Sequence, residues 1–186
     1  YIHTDVAIVG GGSAGLTAAI ENAKQGFRCV LVDDQIALGG YRRFGTVDTN
    51  KNENLIQQAM SEKQITILSH SYCFGLYEDR LLGVVQLPND NTQGESVTHI
   101  RADRVIIATG TFEAPLLFEN NDLVGVMLSS GVERLIGLYA INPGHQAVVI
   151  GDGARAERIA SLLQHAGIEV VSLVHSEQVV SALGSE

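Results

Sequence analysis

The chain has no tryptophan, only two cysteines, and 12 Lys plus Arg against 21 Asp plus Glu. The two cysteines, Cys29 and Cys73, form no CxxC pair, which argues against a disulfide framework, a zinc site and a redox dithiol. A net charge of −9 argues against a nucleic-acid surface or an anionic-membrane surface, since either needs clustered cations. No apolar run approaches the ~20 residues of a membrane span. Tyr1-Ile2-His3-Thr4-Asp5 has no basic leader pattern and runs into a strand, so the reading is a cytoplasmic protein. The histidines show no metal-ligand spacing, and Ser13 and Ser130 lie outside any nucleophile-elbow context. No paired-carboxylate site rises above surface charge. We therefore assign no catalytic residue and no metal ligand, which leaves the chemistry to a cofactor and a partner.

Hydrophobic residues make up 45% of the 186 positions, enough for an ordinary core, and twenty glycines carry the information. Val6–Val9 is a short β-branched run suited to a parallel strand buried on both faces. Residues 16–25 read as a helix stopped by Gly26, and Cys29–Val32 as a second buried strand ending at Asp33. Between strand and helix lies Gly10-Gly11-Gly12-Ser13-Ala14-Gly15, a G-x-G-x-x-G turn in its full context, with an acid eighteen residues past Gly15. Gly10 serves the tight turn, Gly12 allows the backbone to approach a pyrophosphate, and Gly15 allows close helix packing. The helix N-terminus offers N–H donors to phosphate, and Asp33 can accept both ribose hydroxyls.

Asp34, beside Asp33, is a further candidate for the ribose, although the strand alternation places Asp33 there and leaves Asp34 as a solvated loop charge. Gly39-Gly40 offers a second backbone-only stretch, balanced between a cofactor contact and an ordinary turn. Arg42 and Arg43 can neutralise phosphate, although exposed arginines more often do nothing specific.

Residues 34–53 read as a long loop, followed by a helix with Leu55, Ile56, Ala59 and Met60 on its inner face. Ile65–Leu68 reads as a strand, residues 72–77 and 81–87 as a hairpin, and residues 97–101 as a third antiparallel strand. Val105–Ala108 reads as a separate buried strand. Ser129-Ser130 is expected to cap a helix bearing Val132, Leu135, Ile136 and Tyr139. The opening pattern then recurs: a strand over 147–150, the G-x-G-x-x-A turn from Gly151 through Gly153 to Ala156, a helix ended by Gly167, and a strand over 170–174. The second strand leads to His175 rather than to an acid, and Asp152 would repel phosphate. The balance there favours a unit kept for packing over an NAD(P) site. The expected fold is α/β, a Rossmann-like three-layer FAD/NAD(P)-binding architecture with a small antiparallel layer. Its domains are residues 1–112, a connection over 113–146, and the start of a second dinucleotide-binding unit over 147–186.

The GGGSAG turn, Leu38-Gly39-Gly40, the hairpin and Ile107-Ala108-Thr109-Gly110 resemble two-dinucleotide-binding flavoproteins of the pyridine nucleotide–disulfide oxidoreductase type. His99–Ala102, Glu113-Ala114-Pro115-Leu116 and Asn121-Asp122-Leu123-Val124-Gly125-Val126-Met127-Leu128 resemble, more narrowly, the alpha subunit of heterotetrameric sarcosine oxidase. Opine oxidases, dye-linked proline dehydrogenases and hydrogen cyanide synthase have related subunits. The resemblance implies that Ala108, Thr109 and Gly110 pass beside the dinucleotide and that the Cys73 backbone meets adenine. It implies FAD or NAD at the first site and FMN at a partner interface. It also implies a flavin-bearing partner subunit and an amine or amino-acid substrate. The chain is expected to stop inside the second unit, as a fragment or proteolytic core would. A non-catalytic structural nucleotide-binding subunit and a stand-alone NAD(P)H-dependent flavoprotein reductase are the alternatives.

Overall fold

A computed structural model describes residues 1–44, 49–88 and 94–175. They fall into two compact units. The first holds Tyr1–Arg43 and the described residues from 49 to 111, and the second holds Phe44 and the described residues from 112 on.

The first unit opens with β1 (Ile2–Val9), α1 (Ser13–Lys24) and β2 (Cys29–Val32). A single 3-10 turn follows over Gly40–Arg43, and then α2 (Thr49–Ser61) and β3 (Ile65–Leu68). The hairpin β4 (Ser71–Tyr77) and β5 (Leu81–Gln86) leads to β6 (Ser96–Ile107). Strand order is β3-β2-β1-β6-β5-β4. The first four strands are parallel, and β5 and β4 run antiparallel to their neighbours.

Alternation sorts the central strands onto two cores. Val6 and Ile8 of β1, with Cys29 and Leu31 of β2, pack against Leu16, Ala19 and Ile20 of α1. Ala7, Val30 and Val32 point the other way and meet Leu82, Val84, Ile100 and Ala102 of β5 and β6. Burial on both faces explains the unbroken apolar runs. β5 and β2 are not neighbours in the sheet, so their shared core means that the antiparallel strands curl over the parallel ones. Helices, parallel sheet and antiparallel strands form the three expected layers.

Four sequence expectations need correcting. Residues 97–101 and 105–108 belong to one strand. Its Ile100–Arg101 stretch is hydrogen-bonded to β5 on one side and to β1 on the other, so the hairpin continues the same sheet. The charges between those segments are accommodated at the surface, where Arg104 lies over the Phe27 ring and Arg101 pairs with Asp79 at 3.6 Å. Ile107, expected to be buried, is exposed. The long loop is interrupted by the 3-10 turn, and α2 begins at Thr49, well before its apolar face. Ala59 is buried on that face, whereas Met60 is exposed.

The second unit contains α3 (Ser129–Tyr139), β7 (Gln146–Ile150), α4 (Gly153–His165) and β8 (Glu169–Val174). The two strands pair in parallel, completing a βαβ unit. Val149, Ala156, Ile159, Leu163 and Ile168 form its small core, with Val132 and Ile136 of α3 packed against it.

Candidate dinucleotide-binding site

The first Gly-rich turn is bound on several sides by backbone. Gly10 N–H donates to the Val32 carbonyl at 2.8 Å, Ala108 N–H to Val9 at 2.8 Å, and Gly39 N–H to Gly11 at 2.8 Å. Gly10 has φ +110, and a Cβ there would collide with the Ala108 carbonyl oxygen. A Cβ on Gly15 would collide with the Gly10 carbonyl oxygen. Those two glycines are therefore required by the fold itself.

Gly12 differs. Its φ of −75 suits any residue, and a Cβ there would find only the Gly40 Cα, at 3.9 Å. The space in front of it is open. Gly12 is the N-cap of α1, so no cap side chain takes up the helix's leading N–H groups. Ser13 and Ala14 begin the helix. Gly40, at φ +54, lies against Gly12, where a Cβ would come 2.9 Å from the Gly12 Cα. Gly39 has a different reason for lacking a side chain, because a Cβ there would strike the Asn52 amide and the Arg43 stem.

Asp33 follows β2 and is buried, 6% exposed. One carboxylate oxygen accepts the Gly11 N–H, and the other accepts the Gln35 N–H at 3.0 Å. Burial raises its pKa, and the Gly11 and Gln35 hydrogen bonds oppose that rise. An ionised carboxylate has about four lone-pair sites. One on each oxygen thus remains for the two hydroxyls of a ribose. Asp34 is exposed and accepts from the Gln35 amide at 3.0 Å, in keeping with a solvated loop charge. The start of β4 is tied to the same place, since Ser71 N–H donates to the Asp33 carbonyl at 2.9 Å. That brings the segment leading to Cys73 to the ribose end. Ala108, Thr109 and Gly110 lie past the end of β6, with Ala108 and Thr109 against Gly10. Arg42 is half-buried in the 3-10 turn.

The residues present thus fit the ADP half of a dinucleotide: an open backbone approach at Gly12, an uncapped helix end, and a buried acid with spare acceptors. Both cysteines are free. Cys29 is buried in β2, Cys73 half-buried in β4, and burial raises both thiol pKa values, which disfavours the thiolate. Among the described residues no cluster could hold a metal ion, and no helix is long and apolar enough to cross a membrane.

The second Gly-rich turn is built differently. A Cβ on Gly151 would meet the Ala156 methyl at an ordinary 3.5 Å, a looser approach than the collision a Cβ on Gly15 makes with Gly10. His175 lies 3.3 Å from Asp152, so the place of the ribose acid is taken by an exposed His–Asp pair. Arg155, on the first turn of α4, donates to Ser129 Oγ at 3.1 Å and lies 3.6 and 3.7 Å from Glu113 and the fully buried Glu133. Sequence reading did not find this network. It also placed the cap of α3 on the serines. Instead Leu128 is the N-cap, and the distant Glu113 accepts Ser130 N–H at 2.8 Å and Ser129 Oγ–H at 2.6 Å. Burial works to raise the Glu113 pKa, but the bonds from Ser129 and Ser130 and the Arg155 charge outweigh it and hold it below the usual range. The N-terminus of α3 is thus filled by protein, whereas that of α1 has no side-chain cap.

A βαβ unit with this turn, acid and crossing β6 segment has the form of a dinucleotide-binding domain. Residues 4–186 match the family described as pyridine nucleotide-disulphide oxidoreductase, and the chain belongs to that family. Within it, the chain is similar to sarcosine oxidase subunit alpha of Corynebacterium sp. (strain P-1), 32% identical over 100% of this chain and 21% of the relative. Hydrogen cyanide synthase subunit HcnB of Pseudomonas aeruginosa is 28% identical over 89% of this chain and 37% of its own length. Among solved structures, L-proline dehydrogenase from P. horikoshii superposes with a TM-score of 0.78 at 28% identity, over 93% of this chain and 36% of that one. Thioredoxin reductase from T. acidophilum, with a TM-score of 0.62 at 19% identity over 99% of this chain and 63% of that one, shares the fold. The likeness to sarcosine oxidase alpha subunits stated from the residues is borne out, as is the Rossmann-like fold class. The chain spans about a fifth of the length of the sarcosine oxidase relatives it matches.

Proposed function

We propose that the chain is the nucleotide-binding part of an FAD- or NAD-dependent oxidoreductase subunit of the sarcosine oxidase alpha type. The observation that carries this reading is the open Gly12 backbone set between an uncapped α1 and a buried Asp33 with acceptors to spare. Gly10–Gly15 holds the pyrophosphate, Asp33 the adenosine ribose, and Ala108–Gly110 the side of the dinucleotide. Gly40 keeps the approach clear, Arg42 adds a cation, and the Cys73 backbone meets adenine. The bound group supplies electron-carrying chemistry. This chain's residues bind and orient its ADP half.

The substrate is a secondary amine or amino acid, oxidised in a complex with a flavin-bearing partner subunit, with FMN at their interface and the assembly in the cytoplasm. The named relatives that are oxidase or synthase subunits support this reading. Residues 1–112 form the first domain, 113–146 a connection, and 147–186 the start of a second domain. The Asp152–His175 pair favours a packing role over NAD(P) binding at Gly151 and Gly153.

The direct test mixes the chain with sarcosine, proline or an opine and an artificial electron acceptor, with and without the partner subunit. Turnover is expected only with the partner. Partner-free turnover would favour a stand-alone reductase or oxidase. A bound nucleotide that substrate never reduces in the assembled complex would favour a structural subunit.

A further inference from the structure

The loop that straps the first turn also walls a cavity of about 510 Å³ within the first unit. Leu38, Ile56 and Ile67 give it an apolar lining, with the exposed Met60 beside them. Arg42 and Arg43 line it too, against the single acid Glu53. Asn52, near the start of α2, also lines it. This residue is 3% exposed, and its Oδ1 has no hydrogen-bond partner. A buried acceptor left unpaired is a standing cost in a folded protein. A few hundred Å³ of mostly apolar surface with a few convergent polar groups is the usual form of a small-molecule site.

We propose that this cavity is a second small-molecule site, separate from the dinucleotide turn, for an apolar organic acid bearing an N–H or O–H donor. The apolar body lies against Leu38, Ile56 and Ile67. The anion meets Arg43, which also donates to the Ala37 carbonyl at 3.2 Å. The donor satisfies Asn52 Oδ1. A cation would meet two arginines, a bare phosphate would leave the apolar lining unused, and a neutral hydrocarbon would leave Asn52 unpaired.

Indole-3-carboxylate combines the three features and serves as the probe. Titrated into the chain carrying labelled Met and Ile methyl groups, it should shift Met60, Ile56 and Ile67 saturably, with or without saturating ADP. Benzofuran-3-carboxylate, the same shape without the N–H, should bind about tenfold more weakly, as loss of one ordinary hydrogen bond predicts. Asn52→Leu should lose the same factor for the indole and abolish the difference between the probes. Displacement by ADP, shifts confined to other methyl groups, no saturation, or equal affinity for both probes in the unaltered chain would each overturn the proposal.

Discussion

Gly12→Ala should separate ligand binding from folding, because the structure gives its Cβ nowhere to clash. The φ of −75 and ψ of −177 are open to any residue, and the nearest atom, the Gly40 Cα, would lie 3.9 Å away. Alanine is a poorer N-cap than glycine by about 0.5–1 kcal/mol. Reduced freedom of the unfolded chain offsets that by about 0.4–1 kcal/mol. Stability should therefore change by well under about 1 kcal/mol. The methyl group nevertheless stands where a pyrophosphate must approach the backbone. Losing one hydrogen bond from backbone N–H to a charged phosphate costs about 1.5–3 kcal/mol. That is roughly a tenfold to hundredfold rise in the dissociation constant for ADP. Gly12→Val, with a branched side chain, should abolish measurable binding. Gly15→Ala is the contrasting control, since its Cβ meets the Gly10 carbonyl oxygen and should destabilise the fold by about 1–3 kcal/mol of overpacking. Calorimetric titration with ADP and thermal unfolding of each variant give both quantities. Unchanged ADP affinity in Gly12→Val, with the fold intact, would refute the assignment of the turn.

Asp33→Ala should weaken ADP binding by about 1.5–3 kcal/mol, measured by calorimetry. Because burial raises the Asp33 pKa, the free chain should lose stability as pH rises through that raised value, whereas ADP affinity should rise over the same interval and then level off. Asp33→Asn should remove both pH dependences. Glu113 titrates in the opposite sense: its contribution is present above the ordinary glutamate pKa of about 4.3 and lost as pH falls through its lower folded value. Glu113→Gln should cost about 1 kcal/mol at neutral pH, the worth of a helix cap, and flatten the acid limb of the unfolding curve. Replacing Cys29 and Cys73 by serine should cost about 1 kcal/mol in thermal unfolding and leave turnover of the assembled enzyme intact. Loss of electron transfer with the fold preserved would contradict their inert role.

What was legible in the sequence was local and periodic. The β1–turn–α1–β2 unit declared itself because strands buried on both faces need unbroken apolar runs and Gly10 and Gly15 need missing side chains. The second βαβ unit repeated that signal. β6 was misread because one strand serves a half-exposed meander and a parallel sheet at once. The first turns of α2 were hidden because residues 49–54 carry no apolar period, although Asn52 is buried. Met60 fell in the apolar pattern but on the exposed side of the helix. Glu113 as the cap of α3 lies sixteen residues from Ser129, beyond the reach of a local capping rule. The Arg155–Glu133 contact likewise joins two helices, and no spacing in the chain announces it. Gly39 and Gly40 looked alike in sequence, yet one makes room for Asn52 and the other for Gly12.

The most direct test of the account is to denature the purified chain and identify the small molecule released, by chromatography and mass spectrometry, with an ADP titration of the stripped, refolded chain alongside. The account predicts an ADP-containing dinucleotide, FAD or NAD, in a ratio approaching one per chain, and saturable ADP binding that Gly12→Val eliminates. No adenine nucleotide in the supernatant, together with no ADP binding at millimolar concentration, would contradict it.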